Sequence, residues 1–316
     1  MISNRKDDHI KYALEEEIVT NDFDLIKLNH DSLPSLRFDD IDLSTNFLGK
    51  KVKYPFYINA MTGGSIKALE INKKLALIAK EFGLPFVLGS QSAALKDDSL
   101  IETYQIVRDV YPDVFLVSNV SANATLEQAK KAISMVKANA LSIHLNVIQE
   151  LVMNEGDRDF SKWESNIKTI INNVKVPVIV KEVGFGMSKR TIRHLSQIGV
   201  KIIDVSGKGG TNFARIERKR YNSKGTIFDD LGISTVDSLK NAKDFIGLVY
   251  ASGGIRNALD IFKSLTLGAK AVGLSNYFLQ LTNLDLKDAI KEVNSLISDL
   301  KKLFIIYGVK SIKEIN

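Results

Sequence analysis

Four polar side chains follow an apolar run in the segment SIHLNVIQE, residues 142–150: His144, Asn146, Gln149 and Glu150. If the run is a buried strand, alternation puts His144 and Asn146 on one face and Leu145 on the other. A lone histidine on a strand is more often a satisfied core residue, but this one has polar neighbours. We therefore interpret the strand as one that delivers polar groups to a pocket.

Lys181 ends another apolar run, VPVIVKE, and would project a cation into the same pocket; an internal salt bridge to Glu182 or Asp204 is the alternative. No His, Asp and Glu spacing suits a self-contained metal cage, which argues against a tightly held zinc ion. The single carboxylate Glu150 would instead hold Mg²⁺ together with a substrate diphosphate, which is the usual way in which proteins retain Mg²⁺.

Glycine-rich turns follow three further apolar runs: SGKGGT at 206–211, SGGIR at 252–256 and GLSN at 273–276. Each turn alone is a weak signal, because any tight turn can use glycine. Together they expose backbone N–H groups where a phosphate group is commonly bound. We therefore expect a phosphorylated cofactor or substrate.

The segment RKDDH at residues 5–9 offers Arg5, Lys6 and His9 as clamps for an anion. A flexible charged terminus is the alternative, and the segment by itself favours that interpretation.

The elements that position these groups are eight short apolar runs: 54–61, 85–90, 114–119, 140–146, 176–182, 201–207, 247–254 and 271–275. Segments with helical spacing lie between most of them, as at 70–83, 125–140 and 187–199. Gly83 and Gly199 suit helix C-termini, and Thr125 and Ser188 suit N-caps. Strands and helices that alternate in this way predict an α/β fold with a parallel sheet.

Eight such units favour closure into a (β/α)8 TIM barrel, in which the active site lies at the carboxyl ends of the strands. The polar residues and glycines do collect at those ends. We predict an N-terminal extension packed on the barrel over residues 1–50 and the barrel with a C-terminal helix over 51–316. Residues 215–235, after the sixth strand, are predicted to be an inserted loop over the site; a solvated charged face is the alternative.

Composition excludes several classes of protein. The chain of 316 residues has no cysteine, which excludes disulfides, thiolate metal sites and a catalytic thiol. Its net charge of +6 comes from interspersed charges without a basic stripe, so nucleic acid is not expected as a partner. We see no signal peptide and no membrane-spanning run, and we expect a cytoplasmic protein.

The motifs, in chain order, resemble those of type 2 isopentenyl diphosphate isomerases, which are FMN-dependent barrels. They are RKDDHI, INAMTGG, GSQSAAL, SNVSA, HLNVIQE, GDRDF, KEVGFGMS, DVSGKGGTNFARIE, and SGGIR followed by LGAKAVG. The resemblance runs from about residue 5 to about residue 280. The combination of AMTGG, HLNxxQE and SGKGGTNF is more specific than any one motif.

The resemblance implies interconversion of isopentenyl and dimethylallyl diphosphate, with Mg²⁺ and with FMN that NADPH typically reduces. Residues expected to contact FMN are Met61, Thr62, Gly63, Ser90, Asn119, Lys181, Ser206, Thr211, Gly253, Gly254, Ile255, Arg256, Ser275 and Asn276. Residues expected around the diphosphate are Arg5, Lys6, His9, His144, Asn146 and Gln149, and Glu150 is expected to bind Mg²⁺. The family likeness also suggests a homo-oligomer, a tetramer or larger.

We predict Gln149, Lys181 and His144 as the catalytic residues. Lys181 would stabilise negative charge on the reduced flavin, and Gln149 would orient the alkene or relay a proton. One departure from the family pattern is Ser92, where members often carry an arginine after GSQ. This departure removes a cation from the neighbourhood of the diphosphate.

Three alternatives remain open at this point. An FMN-dependent 2-hydroxy-acid oxidase would need a late His and Arg pair, and the chain has no histidine after His194. A Schiff-base aldolase built on Lys181 would leave the basic N-terminal segment and HLNVIQE unexplained. A barrel that binds ligands without catalysis would have no need of His144, Gln149, Glu150 and Lys181 together.

Overall fold

In the computed structural model, which describes residues 2–15 and 21–315, eight parallel strands close into a barrel. A two-stranded antiparallel hairpin, β1 and β2, precedes them. The strands are β1 (Thr45–Phe47), β2 (Lys50–Val52), β3 (Phe56–Ile58), β4 (Phe86–Val87), β5 (Leu116–Ser121), β6 (Ala140–His144), β7 (Val178–Lys181), β8 (Ile202–Asp204), β9 (Leu248–Ser252) and β10 (Ala271–Leu274). Seven of the barrel strands fall within their predicted runs, and β5 continues two residues past the run 114–119, so the (β/α)8 prediction is confirmed.

Helices follow the barrel strands and cover the outside of the sheet. They are α1 (Ile2–Leu14), α2 (Ile66–Phe82), α3 (Ser92–Lys96), α4 (Glu102–Val110), α5 (Leu126–Met135), α6 (Val147–Val152), α7 (Trp163–Asn173), α8 (Lys189–Gln197), α9 (Phe213–Arg220), α10 (Thr235–Asn241), α11 (Ala258–Thr266), α12 (Asn276–Leu281) and α13 (Leu286–Ile306). The C-terminal helix α13 packs on α11 and α2. None of the helices in the described part of the chain has the length and hydropathy to cross a membrane.

Local capping explains why the predicted helices begin and end where they do. The hydroxyl of Thr125 accepts from the N–H of Gln128, whose side chain accepts in return, which forms a capping box at the start of α5. The hydroxyl of Ser188 caps α8 in the same position. Gly83 ends α2 at φ +67°, a left-handed conformation that suits glycine.

The amino ends of the strands are closed by the β1–β2 hairpin. Phe47 stacks on Tyr250 with ring centroids 5.2 Å apart and packs against Tyr57 at 5.0 Å. All three rings are almost fully buried. Since this plug fills the amino end of the barrel, the barrel interior is open to a ligand from the carboxyl ends of the strands. The hairpin also spans the domain boundary predicted at residue 50.

The N-terminal segment forms helix α1, packed on α9, α12 and α2. Ile10 and Ala13 bury their side chains in the main hydrophobic cluster, so α1 is anchored by its apolar face. This ordered helix replaces the flexible terminus that the charged segment suggested. Residues 1 and 16–20 of the predicted extension, and residue 316 of the predicted barrel domain, lie outside the described part.

The long connection after β8, the sixth barrel strand, is confirmed, but only part of 215–235 is a loop. Its first residues belong to α9, and irregular chain continues from Tyr221 to the N-cap Ser234. The helix forms because Asn212 caps its start and Ala214 and Ile216 bury an apolar face. Basic residues in its last turn complement the helix dipole.

Candidate functional site

The carboxyl ends of the barrel strands open into a cavity of about 420 Å³. Its lining brings together nearly all of the predicted site residues: Arg5, Lys6, His9, Met61, Thr62, Ser90, Asn119, His144, Asn146, Gln149, Glu150, Lys181, Ser206, Thr211, Gly253, Gly254, Ile255, Ser275 and Asn276. The strands and turns that carry them are far apart in the chain, and barrel closure makes them neighbours.

Two predicted residues do not line this cavity. Gly63 packs against Tyr104, since a Cβ built on it would lie 1.9 Å from the ring. Arg256 directs its guanidinium to the carboxylates of Asp24 and Asp260. The FMN contacts predicted for these two residues stay predictions.

Lys181 lies at the end of β7 with its ammonium inside the barrel mouth. Its Nζ donates to Oδ1 of Asn59 at 2.9 Å and lies 3.4 Å from Oδ2 of Asp204. Asp204 also accepts from the hydroxyls of Tyr57 at 3.0 Å and Ser252 at 2.7 Å. The salt bridge that we considered as an alternative therefore exists, and it orients Lys181 towards the cavity instead of removing it.

Glu182, the next residue, serves its own loop. Its Oε2 accepts from the backbone N–H groups of Val183, Gly184 and Phe185 at 2.8, 3.0 and 2.5 Å. Burial nevertheless raises the pKa of Glu182 to about 8. Val183 and Gly184 line the cavity, so this carboxyl group shapes one wall of the site.

The tautomer of His144 follows from its neighbour. Asn119 donates its Nδ2 to the carbonyl oxygen of Leu88 at 3.0 Å, which leaves Oδ1 to face Nδ1 of His144 at 2.9 Å. Because Oδ1 can only accept, Nδ1 carries the proton and Nε2 presents a lone pair. Burial, reinforced by Lys6 and Lys181, lowers the pKa of His144 to about 3, so the ring is neutral.

Gln149 donates from Nε2 to Oε1 of Glu217 at 3.2 Å. The carboxylate of Glu217 is fully buried; it also contacts Nε2 of His9 at 2.8 Å and pairs with Arg220. Burial acts to raise its pKa, but the bonds from His9 and Arg220 outweigh burial and hold the pKa below its usual range. Sequence reasoning missed Glu217, although it lies within the quoted motif ARIE.

Glu150 and Asn146 lie side by side on the substrate wall. Asn146 donates from Nδ2 to Oε1 of Glu150 at 2.7 Å, and the N–H of Asp157 donates to Oε2 at 2.8 Å. The buried Oδ1 of Asn146 has no hydrogen-bond partner among the described residues. An unpaired amide oxygen beside a carboxylate is a donor set that suits Mg²⁺. Within residues 2–15 and 21–315, no three His, Asp or Glu side chains form a complete metal cage.

Helix α1 contributes cations to the same cavity. The buried Nε of Arg5 makes no hydrogen bond to the described residues, and its guanidinium meets only the Met153 sulfur at 3.7 Å and Glu155 at 4.0 Å. Lys6 is partly buried, and desolvation together with Arg5 lowers its pKa to about 8. Cations that are desolvated and largely unpaired are well placed to receive an anionic ligand.

Ser92, the departure from the family pattern, also lines the cavity. Its hydroxyl is 2.9 Å from that of Ser90, and both residues line the cavity. Lys96, one turn later on α3, also lines the cavity and makes no ion pair with the described residues. A lysine at i+4 projects from the same helix face as residue i, so Lys96 offers a cation where Ser92 does not.

The glycine turns fit a phosphate group and a flat ring. A Cβ on Gly210 would lie 2.5 Å from the nitrogen of Gly254, and one on Gly273 would lie 2.7 Å from the ring of Tyr57. The N–H groups of Gly254 and Ile255 donate to no backbone group of the described residues. Backbone N–H groups that face a cavity from a glycine-containing turn are the kind of donors that suit an anionic group such as a phosphate.

Fold and site therefore define the class, an FMN-binding (β/α)8 barrel. The FMN-dependent dehydrogenase family matches residues 16–113 and 107–316. The flavin-binding domain of baker's yeast flavocytochrome b2 superposes with a TM-score of 0.70 at 18% identity, covering 98% of this chain and 78% of that one. A mandelate oxidase variant has a TM-score of 0.66 at 12% identity, covering 98% and 90%. At these identities the structures support the fold alone.

Curated relatives are far more similar in sequence. Isopentenyl-diphosphate delta-isomerase of Listeria innocua is 45% identical over 319 aligned residues, which cover 99% of this chain and 89% of the relative. The protein of the same name from Staphylococcus haemolyticus is 43% identical, covering 99% and 91%. The chain belongs to the FMN-dependent isopentenyl-diphosphate delta-isomerase family and is an isomerase.

Proposed function

We propose that this protein interconverts isopentenyl diphosphate and dimethylallyl diphosphate by a 1,3-allylic proton shift. The observation that carries the proposal is one cavity that brings together three features: the glycine turns, the basic residues of α1, and the amide of Gln149. The first feature suits FMN, and the second suits a diphosphate. The third provides a hydrogen-bonding group near an otherwise unreactive alkene.

Proton transfer to an unactivated alkene needs a strong or very well placed acid. The chain has no cysteine, and its buried histidine is neutral with a low pKa. Reduced FMN, when bound, supplies an acid and a base on one ring, so the proton chemistry belongs to the cofactor. The protein residues hold the substrate, exclude water and set the charge around the site.

Lys181 would stabilise negative charge on reduced FMN bound in the cavity. Its ammonium is fixed by Asn59 and by Asp204, so little reorganisation is needed when that charge develops. Gln149 is oriented by Glu217, and in our proposal it orients the alkene or relays a proton. His144 accepts a hydrogen bond at Nε2. It thereby positions a hydrogen-bond donor of the ligand, or the ammonium group of Lys6.

The diphosphate is held by Arg5, Lys6 and His9 from α1 and by Mg²⁺ at Glu150. Asn146 supports this proposal, because it lines the same cavity and its buried Oδ1 has no hydrogen-bond partner among the described residues. A metal ion shared between one carboxylate and the substrate binds only when the substrate is present. This arrangement would make the diphosphate the specificity element of the site.

Our proposal places the protein in the cytoplasm as a homo-oligomer of four or more chains, with NADPH as the reductant. The likeness to the isomerase family is what supports this assembly. Light scattering on a sizing column measures the assembly directly.

The decisive experiment follows product by NMR in D₂O without oxygen, with purified protein, FMN, NADPH, Mg²⁺ and isopentenyl diphosphate. We expect dimethylallyl diphosphate to form only when the flavin is reduced. Bound FMN without product would contradict the proposed substrate while leaving the cofactor assignment intact.

A further inference from the structure

Asn21 links two of the glycine turns from outside the cavity. Its Nδ2 donates to the carbonyl oxygen of Gly254 at 2.7 Å and to that of Gly209 at 3.4 Å. Gly209 belongs to the turn after β8 and Gly254 to the turn after β9. One side chain of the N-terminal segment therefore bridges both turns.

Two further polar contacts, made by Arg256 and Lys263, hold this segment in place. Asp24 forms a bidentate ion pair with Arg256, with Nη1 to Oδ2 at 2.9 Å and Nη2 to Oδ1 at 2.5 Å. Arg256 also pairs with Asp260 through Nε at 2.8 Å. Lys263 donates to the carbonyl oxygen of Phe23 at 2.7 Å, and the Phe23 ring is buried. We call residues 21–25 the outer clasp.

Asn21 donates to two carbonyl groups, and each of these carbonyls shares a peptide group with the N–H of the following residue. Holding the carbonyl therefore also sets the direction of that N–H. In a trans peptide the carbonyl and the following N–H point in opposite directions. Fixing the carbonyl of Gly254 therefore fixes the N–H of Ile255, and fixing that of Gly209 fixes the N–H of Gly210. Both Ile255 and Gly210 line the cavity.

The two turns also leave each other no room to move independently. A Cβ on Gly253 would lie 2.1 Å from the carbonyl oxygen of Gly207, and one on Gly210 would lie 2.5 Å from the nitrogen of Gly254. A shift of one turn thus displaces the other. Contacts that hold both from outside reduce the reorganisation that phosphate binding requires.

We propose that the outer clasp orients the N–H groups of Gly210 and Ile255 towards the FMN phosphate, and so raises FMN affinity without touching the flavin. This inference rests on the proposed binding of FMN at these turns. Asn21 and Asp24 are positioning residues in it. The clasp also connects the cofactor site to the chain segment that carries α1 and its cations.

The test compares FMN with riboflavin, which lacks the phosphate, by quenching of flavin fluorescence on protein stripped of flavin. Asn21→Ser is the variant, because serine is as good an N-cap for the turn at Asp22–Leu25 but is too short to reach Gly254. Asn29→Ser, at an exposed position of the same segment, is the matched control. We expect Asn21→Ser to bind FMN roughly three- to tenfold more weakly and riboflavin unchanged.

Asp24→Asn provides a second, independent variant, and a loss confined to FMN is expected there too. Equal losses for FMN and riboflavin would mean that the clasp only supports the fold, and would overturn the proposal. Unchanged binding of both flavins would overturn it as well. If the wild type binds riboflavin as tightly as FMN, then the turns do not hold the phosphate, and the clasp proposal fails while FMN as the cofactor of the family stands.

Discussion

The amide of Gln149 points its Nε2 at the buried carboxylate of Glu217, 3.2 Å away, and the same carboxylate contacts His9 at 2.8 Å. This contact joins the helix after β6 to the helix after β8 and turns the Gln149 carboxamide in a defined direction. The negative charge of Glu217 thus lies directly behind Gln149 and His9, which line the cavity. We base the first prediction on it.

Gln149→Leu should lower kcat by about a hundredfold or more, because an oriented proton-transferring or hydrogen-bonding group contributes on that order. FMN binding should be unchanged. Turnover is measured without oxygen and with reduced flavin, and the flavin content of each protein is measured in parallel to show that FMN is bound. Gln105→Leu at an exposed position is the control. Wild-type turnover in Gln149→Leu would remove that residue from the mechanism.

Lys181→Gln should lower the midpoint potential of bound FMN. Loss of one charge-assisted interaction with the reduced flavin corresponds to about 30–60 mV for a two-electron couple. Equilibration against reference dyes measures this shift, and Lys181→Arg keeps the charge as a control. The fixed position of Lys181 beside Asp204 is the reason to expect a definite shift. A potential that stays the same in Lys181→Gln, with FMN bound, would contradict the assigned role.

The affinity for substrate should fall as the pH rises through about 8. Lys6 has its pKa lowered to about 8 by desolvation and by Arg5, so it is a cation below this pH and loses its charge above it. Neutral His144 adds no compensating charge in that range. We expect KM to rise with pH while kcat changes little. Steady-state kinetics from pH 6 to 9 measures both constants.

The matched variants are on the same helix. Lys6→Arg should move the rise in KM to higher pH, because a guanidinium stays protonated throughout this range. Lys11→Arg, at an exposed position of α1, should keep the wild-type profile. A Lys6→Arg profile identical to that of the wild type would assign the pH dependence to another group.

Lys96→Ala should raise the KM for the diphosphate several-fold, since Lys96 lines the cavity one turn beyond Ser92. Addition of Ser92→Arg to that variant should restore much of the loss, because both side chains supply a cation from the same face of α3. Lys80→Ala on α2, exposed and outside the cavity, is the control. Initial rates at varied substrate concentration give the KM of each variant. An unaltered KM in Lys96→Ala would show that Lys96 does not replace the cation missing at Ser92.

Glu150→Gln should raise the Mg²⁺ concentration for half-maximal activity by about tenfold or more, a typical effect of altering a metal site. Glutamine keeps only one acceptor oxygen, so it can accept from Nδ2 of Asn146 or from the N–H of Asp157 but not from both, and flavin content is measured beside activity to show that the fold persists. Titration of activity with Mg²⁺ provides the measurement, with the exposed Glu127→Gln as control. The same Mg²⁺ dependence in both variants would place the metal elsewhere.

The amino-acid sequence by itself determined the repeating architecture and the local signals. The eight apolar runs, the caps at Thr125 and Ser188 and the glycine turns depend on residues close together in the chain, where periodicity and backbone conformation act. The cluster His144 to Glu150 was readable for the same reason. The connection after β8 was only partly predictable, because its charged residues hide the apolar face of α9.

The tertiary structure decided the pairings and the charge states. Glu217 faces Gln149 across 68 residues of chain, Asp204 meets Lys181, and Asn21 reaches Gly254, all because the barrel closes and α1 folds over its mouth. Burial then makes His144 neutral and lowers the pKa of Lys6. Such effects depend on distance and desolvation in three dimensions, which no local pattern of residues encodes.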